Sequence, residues 1–419
     1  MMRPSAEVGD QEVDVSSQPT SRPRVLSGMR PTGRLHLGHY HGVLRNWVEL
    51  QHQHECFFFI ADWHALTTAY DEREIIADNV WEMVIDWLAC GVDPEQARLF
   101  IQSRVLEHAE LHVLLSMIAP LGWLERVPTF KDQQQNLGDK DLMTYGFLGY
   151  PVLQSADILI YRATAIPVGE DQVSHVELTR ELARRFNHMF GREPGFEDKA
   201  EAAAAKMGKK NAKRFRQLRR QYQESGDIEA LADGQALVAN QANIGQDDRE
   251  RLQGYLEGGG RTVLPEPDPL LTPSPKMPGL DGRKMSKSYG NTIGLREDAD
   301  SVEQKIRTMP TDPARVRRND PGEPEKCPVW DLHKVYSDET TKEWVQTGCR
   351  SAGIGCLECK KPVIDAVQAE LDPIRDRAAR LTDDPGYVRD VVERGCDSAR
   401  EAAQQTMTDA RAAVGLDYR

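Results

Sequence analysis

Long apolar runs are missing from this 419-residue chain: no stretch approaches the roughly 18 residues that would span a bilayer. The N-terminus has no apolar secretory core, so export is not expected and the cytoplasm is. A surplus of positive charge is absent too. A net charge of −13 argues against indiscriminate coating of nucleic acid, although local patches rather than totals govern phosphate binding. No G-x-G-x-x-G follows the first strand-like run, which argues against a dinucleotide enzyme. Cysteines number seven, and in a cytosolic chain they are not read as disulfides.

What is present fits an ordinary globular protein with two domains, at 39% hydrophobic and 28% charged residues. Residues 1–22, rich in Ser, Pro, Asp, Glu and Gln, read as a disordered tail. From Arg24, short apolar runs alternate with amphipathic helices. Val25–Gly28, Cys56–Ala61, Leu99–Ile101 and Ala165–Val168 read as strands, and Ile76, Val80, Val84 and Leu88 mark a helix ending at Gly91. This alternation predicts an α/β fold with a doubly wound, Rossmann-like parallel sheet, in which ligands bind beyond the carboxyl ends of the strands. The catalytic part spans 23–197 and resumes at 263–298. Between them, 198–262 reads as a basic helical insertion, and 299–419 as an all-helical domain.

Two separated motifs carry chemistry. His36-Leu37-Gly38-His39 follows a strand and a Pro31-Thr32-Gly33 turn and opens a helix, whose free N–H groups and dipole favour phosphate. Histidines there can donate to phosphate oxygens during displacement. Far downstream, Lys284-Met285-Ser286-Lys287-Ser288 sets two lysines on a polar loop, suited to charge that develops on a departing pyrophosphate. A lone histidine pair or a lone basic loop is more often ordinary surface; the two together, in this order, are not.

Together with Tyr150–Leu159 and Gly169–Arg180, these motifs resemble, in order and spacing, those of bacterial tryptophanyl-tRNA synthetases, a class I aminoacyl-tRNA synthetase family. The resemblance runs from about Arg24 to the C-terminus with one interruption. It implies a tryptophan–tRNA ligase that forms tryptophanyl-adenylate from tryptophan and ATP, then charges tRNA(Trp). It implies that Asp157 accepts the indole N–H, and that Tyr150 and Gln172 hold the substrate ammonium. ATP contacts fall on Arg30, Pro31, Thr32, Gly38, His39, Gly169, Glu170, Asp171 and Met277, and on the loop residues Lys284, Met285, Ser286, Lys287 and Ser288. His36, His39, Lys284 and Lys287 are the expected catalytic set, with Mg²⁺ accompanying ATP and a homodimer bridged by tRNA. Chemistry agrees for Asp157, since indole nitrogen only donates and a buried acceptor matches it. Arg30 and Gln154 depart from the Gln and Met common in the family. The alternatives are a tyrosyl-tRNA synthetase, because a phenol also donates to Asp, and a catalytically idle RNA-binding paralogue.

Four cysteines cluster as Cys327-x21-Cys349-x6-Cys356-x2-Cys359, a donor set for zinc or an iron–sulfur cluster. Spacing alone does not choose, and zinc is the chemical default. The resemblance implies the subset with a C-terminal [4Fe–4S] cluster beside an anticodon-binding surface. Cys56, Cys90 and Cys396 read as core. Residues 206–220 carry eight basic side chains and no acid, either a solvated helix face or an RNA-facing one.

Overall fold

The structure is a computed structural model, and it describes residues 22–70, 73–127, 144–271 and 277–418. Apart from Arg22, the expected tail lies outside the described residues. One parallel sheet holds β1 (Arg24–Met29), β2 (Glu55–Ile60), β3 (Ala97–Ile101), β4 (Ala165–Val168) and β5 (Asp268–Leu271), in the order β3-β2-β1-β4-β5. Val25 sits opposite Cys56 on one side and Ala165 on the other. The winding reverses between β1 and β4, and such a reversal leaves a crevice at the carboxyl ends.

The sheet is held by aromatics. Phe57 and Phe58 of β2 are wholly buried, and Trp47 stacks flat on Phe58 with centroids 4.2 Å apart. Each such side chain contributes about 1.5–3 kcal/mol through burial. The helix Arg73–Ala89 buries Val80, Val84, Trp87 and Leu88, and Gly91 (φ +104°) turns the chain after it. β5 is the strand that patterning missed. It contains Pro269, which has no N–H for a ladder, but β5 lies at the sheet edge beside β4 alone.

The helices Phe196–Lys206, Lys209–Ser225, Ile228–Ala239 and Gln246–Glu257 close round their own small core of Ala203, Met207, Phe215, Val238, Leu252 and Leu256. The C-terminal helices Ala299–Thr308, Pro328–Tyr336, Glu339–Arg350, Cys356–Asp383 and Pro385–Val414 behave differently. Instead of enclosing a separate core, they join the core of the sheet through Val363, Val367, Val392, Cys396 and Met407. Pro385–Val414 presses so closely on β3 that a Cβ on Gly395 would stand 2.0 Å from the Leu99 carbonyl oxygen. No helix among the described residues is long and apolar enough to cross a membrane.

Candidate active site

The crevice at the β1/β4 switch holds a cavity of about 400 Å³ lined by Ser27, Gly28, Arg30, Tyr150, Asp157, Gly169 and Gln172. Residues far apart in sequence meet there because β1 and β4 end side by side. Gly28 is required at its position, since a Cβ would meet the Phe59 ring at 2.5 Å.

Asp157 sits on the helix Tyr145–Ile160 and is 1% exposed. His108 Nδ1 donates to its Oδ1 at 2.6 Å, Gln102 Nε2 to the same oxygen at 2.8 Å, and His64 Nε2 to Oδ2 at 2.8 Å. Burial opposes the charge, but the bonds from His108 and His64 outweigh it and hold the carboxyl well below the usual carboxylate range. The other ring nitrogen of His108, Nε2, lies 2.7 Å from the Tyr161 hydroxyl. A carboxylate has about four acceptor sites. Among the described residues three are filled by protein donors, two on Oδ1 and one on Oδ2, so Oδ2 can accept from a ligand that donates. Deeper toward β4, His175 links Tyr150 and Gln172: the Tyr150 hydroxyl lies 2.9 Å from Nε2, and Gln172 Oε1 accepts from Nδ1 at 2.6 Å.

The histidine motif starts a helix that passes through a single π-helical stretch at Tyr40–Leu44 before continuing as Arg45–Leu50. His36 caps it, its Nδ1 accepting from Gly38 N at 3.1 Å, and the His39 ring lies 3.9 Å from its own. Burial first, then Lys287, pushes His36 down to about 4. Burial, then His36, Lys287 and Lys284, pushes His39 down to about 3. Both rings are therefore neutral at pH 7. In the same helix, His41 Nε2 lies 2.9 Å from Glu370 Oε2, which also accepts from the Tyr336 hydroxyl at 2.7 Å, so the motif helix is fastened to the C-terminal helices.

The lysine loop packs directly on this turn. Leu37 N donates to Ile293 O at 3.0 Å, Leu295 N to Leu35 O at 3.1 Å, and Met285 N to Met277 O at 2.9 Å. A Cβ on Gly38 would lie 2.8 Å from the His36 ring and 3.5 Å from Met285 Cβ, so glycine lets the two motifs touch. Lys287 crosses Gly33 (φ +125°), its Nζ 3.3 Å from where a Cβ would stand. Burial lowers the Lys287 pKa, and Asp86 opposes that shift. Lys284 and Ser288 are exposed, and the Ser286 and Ser288 hydroxyls lie 2.9 Å apart. His36 and Lys287 line a second hollow of about 730 Å³ with Arg34, Asp86 and Arg296.

The sequence-predicted residues thus fall into two adjoining groups. Tyr150, Asp157, Gly169, Gln172 and Arg30 share the cavity; His36, Gly38, His39, Met277 and the lysine loop meet beside it. Pro31 is buried and Thr32 exposed on the turn between them, and Glu170 is exposed in the short helix Glu170–Gln172. The side chain of Asp171 lies outside the described residues. Sequence reasoning missed His64, His108, His175 and Asn291. Asn291, 3% exposed, accepts from Ser286 N at 2.8 Å and donates to Asp281 Oδ1 at 2.7 Å and Lys284 O at 3.2 Å, bracing the lysine loop. Only the position of His64, just past a strand end, gave a usable signal.

The four cysteines come from converging helix ends. Cys327 caps Pro328–Tyr336, Cys349 lies in the last turn of Glu339–Arg350, and Cys356 and Cys359 open Cys356–Asp383. Burial first, then Cys327, Cys349 and Cys356, pushes the Cys359 thiol up to about 12, so the thiols lie within range of one another's charge. Arg315 Nη1 donates to Cys349 Sγ at 3.8 Å, and His333 Nε2 lies 3.4 Å from Cys359 Sγ. Among the described residues no three His, Cys, Asp or Glu side chains converge as a site for a metal ion.

A glycine-bearing histidine turn and a cavity holding a buried carboxylate meet at the switch of a parallel sheet. The chain matches the family described as tRNA synthetases class I (W and Y) over residues 18–213 and 239–372, and it belongs to that family. It is 66% identical over 395 residues to a tryptophan–tRNA ligase of Ralstonia nicotianae, covering 94% of this chain and 99% of that one. A tryptophan–tRNA ligase of Thermotoga maritima is 45% identical, with 94% and 100% covered. The crystal structure of tryptophanyl-tRNA synthetase from Campylobacter jejuni complexed with ADP and tryptophan superposes with a TM-score of 0.70 at 26% identity, covering 94% and 100%. Within the class, the chain is therefore a member of the tryptophan–tRNA ligases.

Proposed function

We propose that the cavity at the β1/β4 switch is where tryptophan and the α-phosphate of ATP meet, and that the tryptophan carboxylate attacks that phosphorus in line. The observation that carries this is the ionised, buried Asp157, with three of its acceptor sites filled among the described residues and Oδ2 able to accept from a ligand. Asp157 receives the indole N–H, while Tyr150 and Gln172 take the ammonium group. Arg30, Pro31, Thr32, Gly38, His39, Gly169, Glu170, Asp171 and Met277 surround ATP. Neutral His36 and His39 donate to its phosphates, and Lys284 and Lys287, with Met285, Ser286 and Ser288, follow the departing pyrophosphate. Mg²⁺ accompanies the triphosphate. Catalysis is positioning and electrostatics, with no covalent enzyme intermediate. The activated tryptophan then passes to the 3′-terminal adenosine of tRNA(Trp).

ATP–pyrophosphate exchange with tryptophan and with tyrosine tests the reading. Exchange with tryptophan alone is expected. Exchange with tyrosine instead would overturn the Asp157 assignment, and exchange with neither would mark an idle paralogue.

Three further parts belong to this reading. Cys327, Cys349, Cys356 and Cys359 are the residues that would hold a [4Fe–4S] cluster, and the cluster would pin three helix ends of the C-terminal region; the all-thiol donor set with Arg315 beside it suits an anionic cluster. Iron and acid-labile sulfide in anaerobically purified protein should each approach four per chain, whereas a single zinc would refute the cluster. A homodimer is supported by an exposed apolar stripe of Leu106, Val113 and Met117, at 68%, 48% and 74% exposure and spaced for one helix face. Sedimentation should show two subunits in the parent and one in Val113→Lys/Met117→Lys. The enzyme works in the cytoplasm.

A further inference from the structure

The basic run at 206–220 has a use that depends on which of its charges are already neutralised. Lys206 pairs with Asp248 at 2.6 Å, Arg214 with Asp233 at 3.2 Å and Arg216 with Glu201 at 2.7 Å. Arg219 donates to the Tyr255 carbonyl at 2.7 Å and lies over that ring at 3.8 Å. Lys209, Lys210, Lys213 and Arg220 remain exposed, with no acidic partner among the described residues. At 3.6 residues per turn, Lys209, Lys213 and Arg220 fall on one stripe of the helix Lys209–Ser225, with Lys210 alongside.

Two of these positions are unfavourable for the helix itself. Its first turn carries Lys209 and Lys210 and no acid, behind a Gly208 cap that supplies no side chain, so cations sit at the positive end of the dipole. A protein partner would want apolar residues at the centre of the contact, and the stripe offers none. An anionic polymer needs what is there: cations repeated along a line, roughly one per turn.

The bundle that carries the stripe is fixed to the body rather than tethered. Arg162 bonds Glu250 and Asp409, both at 2.6 Å, and Arg261 bonds Glu250 at 2.6 Å and Asp409 at 3.3 Å, joining the bundle to the C-terminal helix. At its neck the backbones touch: a Cβ on Gly254 would stand 1.5 Å from Gly260 O, and one on Gly260 would stand 2.2 Å from the Gly191 carbonyl carbon. The backbone that carries these charges is held in place before a ligand arrives. The family match is interrupted at 214–238, inside this bundle.

We propose that Lys209, Lys210, Lys213 and Arg220 form a docking surface for the phosphate backbone of tRNA, outside the catalytic cavity; this rests on the reading that the chain charges tRNA. The test uses the full chain bearing K209Q/K210Q/K213Q/R220Q. Aminoacylation is measured over a salt series, beside tRNA-free pyrophosphate exchange. Four lost phosphate contacts should flatten the slope of log kcat/KM for tRNA against log salt by about 3, and Lys213→Gln or Arg220→Gln alone by about 0.7. Lys→Arg versions should keep the parent slope, exchange should be unchanged, and hydroxyl-radical footprinting should show one protected backbone strip missing in the quadruple variant. Equal slopes with an unchanged footprint would overturn the proposal, and so would a changed oligomeric state with an unchanged slope, which would mark a protein interface. Failure of the parent in tryptophan-dependent exchange would strike the activity reading instead.

Discussion

Replacing Asn291 with alanine isolates the bracing of the lysine loop from the chemistry of the lysines. The amide is 3% exposed and makes three bonds: from Ser286 N at 2.8 Å, to Asp281 Oδ1 at 2.7 Å and to Lys284 O at 3.2 Å. A neutral bond is worth about 1 kcal/mol and one to a carboxylate about 1.5–3, so the variant gives up roughly 3–5 kcal/mol of loop ordering. The Asn291 bond is also the leading cause that holds Asp281 down at about 2, and that carboxyl should rise toward its ordinary range in the variant. The loop lies beside the Asp157 cavity rather than in its wall, so on the proposed reading KM for tryptophan should hold while kcat for pyrophosphate exchange falls at least about tenfold. Hydrogen exchange at the Ser286 amide should accelerate in parallel. An exchange rate within about twofold of the parent, with Ser286 still protected, would show that the loop is positioned by its backbone contacts alone and refute the reasoning.

Other expectations follow from the same geometry. His36 and His39 are held at about 4 and about 3, so the unfolded chain takes up these protons first as pH falls below about 6.5. Their contribution to stability is complete above that pH and is lost on the way down, at up to about 1.4 kcal/mol per pH unit for each ring. His36→Asn/His39→Asn should therefore flatten the acid limb of a Tm–pH curve, and an identical limb would contradict the assignment. Tyr161→Phe removes the hydroxyl 2.7 Å from His108 Nε2, at a cost of about 1–3 kcal/mol, and should raise KM for tryptophan with kcat nearly intact; an unaltered KM would separate His108 from substrate binding. Gly395→Ala places a methyl group 2.0 Å from the Leu99 carbonyl oxygen, so calorimetry should show a clear loss of Tm, and a Tm equal to the parent would mean the helix can move away from β3.

The parts legible in the sequence share one property: their cause is local. β2 declares itself by consecutive Phe57, Phe58 and Phe59, and the histidine turn by its place after a strand and before a helix. β5 stayed hidden because its signal is also local and points the wrong way. Pro269 reads as a break, and only the position of the strand at the sheet edge makes that proline harmless. The wall of the Asp157 cavity is a third case. Asp157 could be singled out, but His64 and His108 reach it from 93 and 49 residues away, and nothing near either histidine marks it as a donor to that carboxylate. The same holds for Gly395. Inside a helix a glycine reads as a weak point that costs conformational entropy, and its physical reason, the Leu99 carbonyl pressed against the helix, belongs to a strand almost 300 residues earlier. A residue chosen for what it must not collide with leaves no pattern in its own neighbourhood, and such a residue here holds the C-terminal helix against the sheet that carries the site.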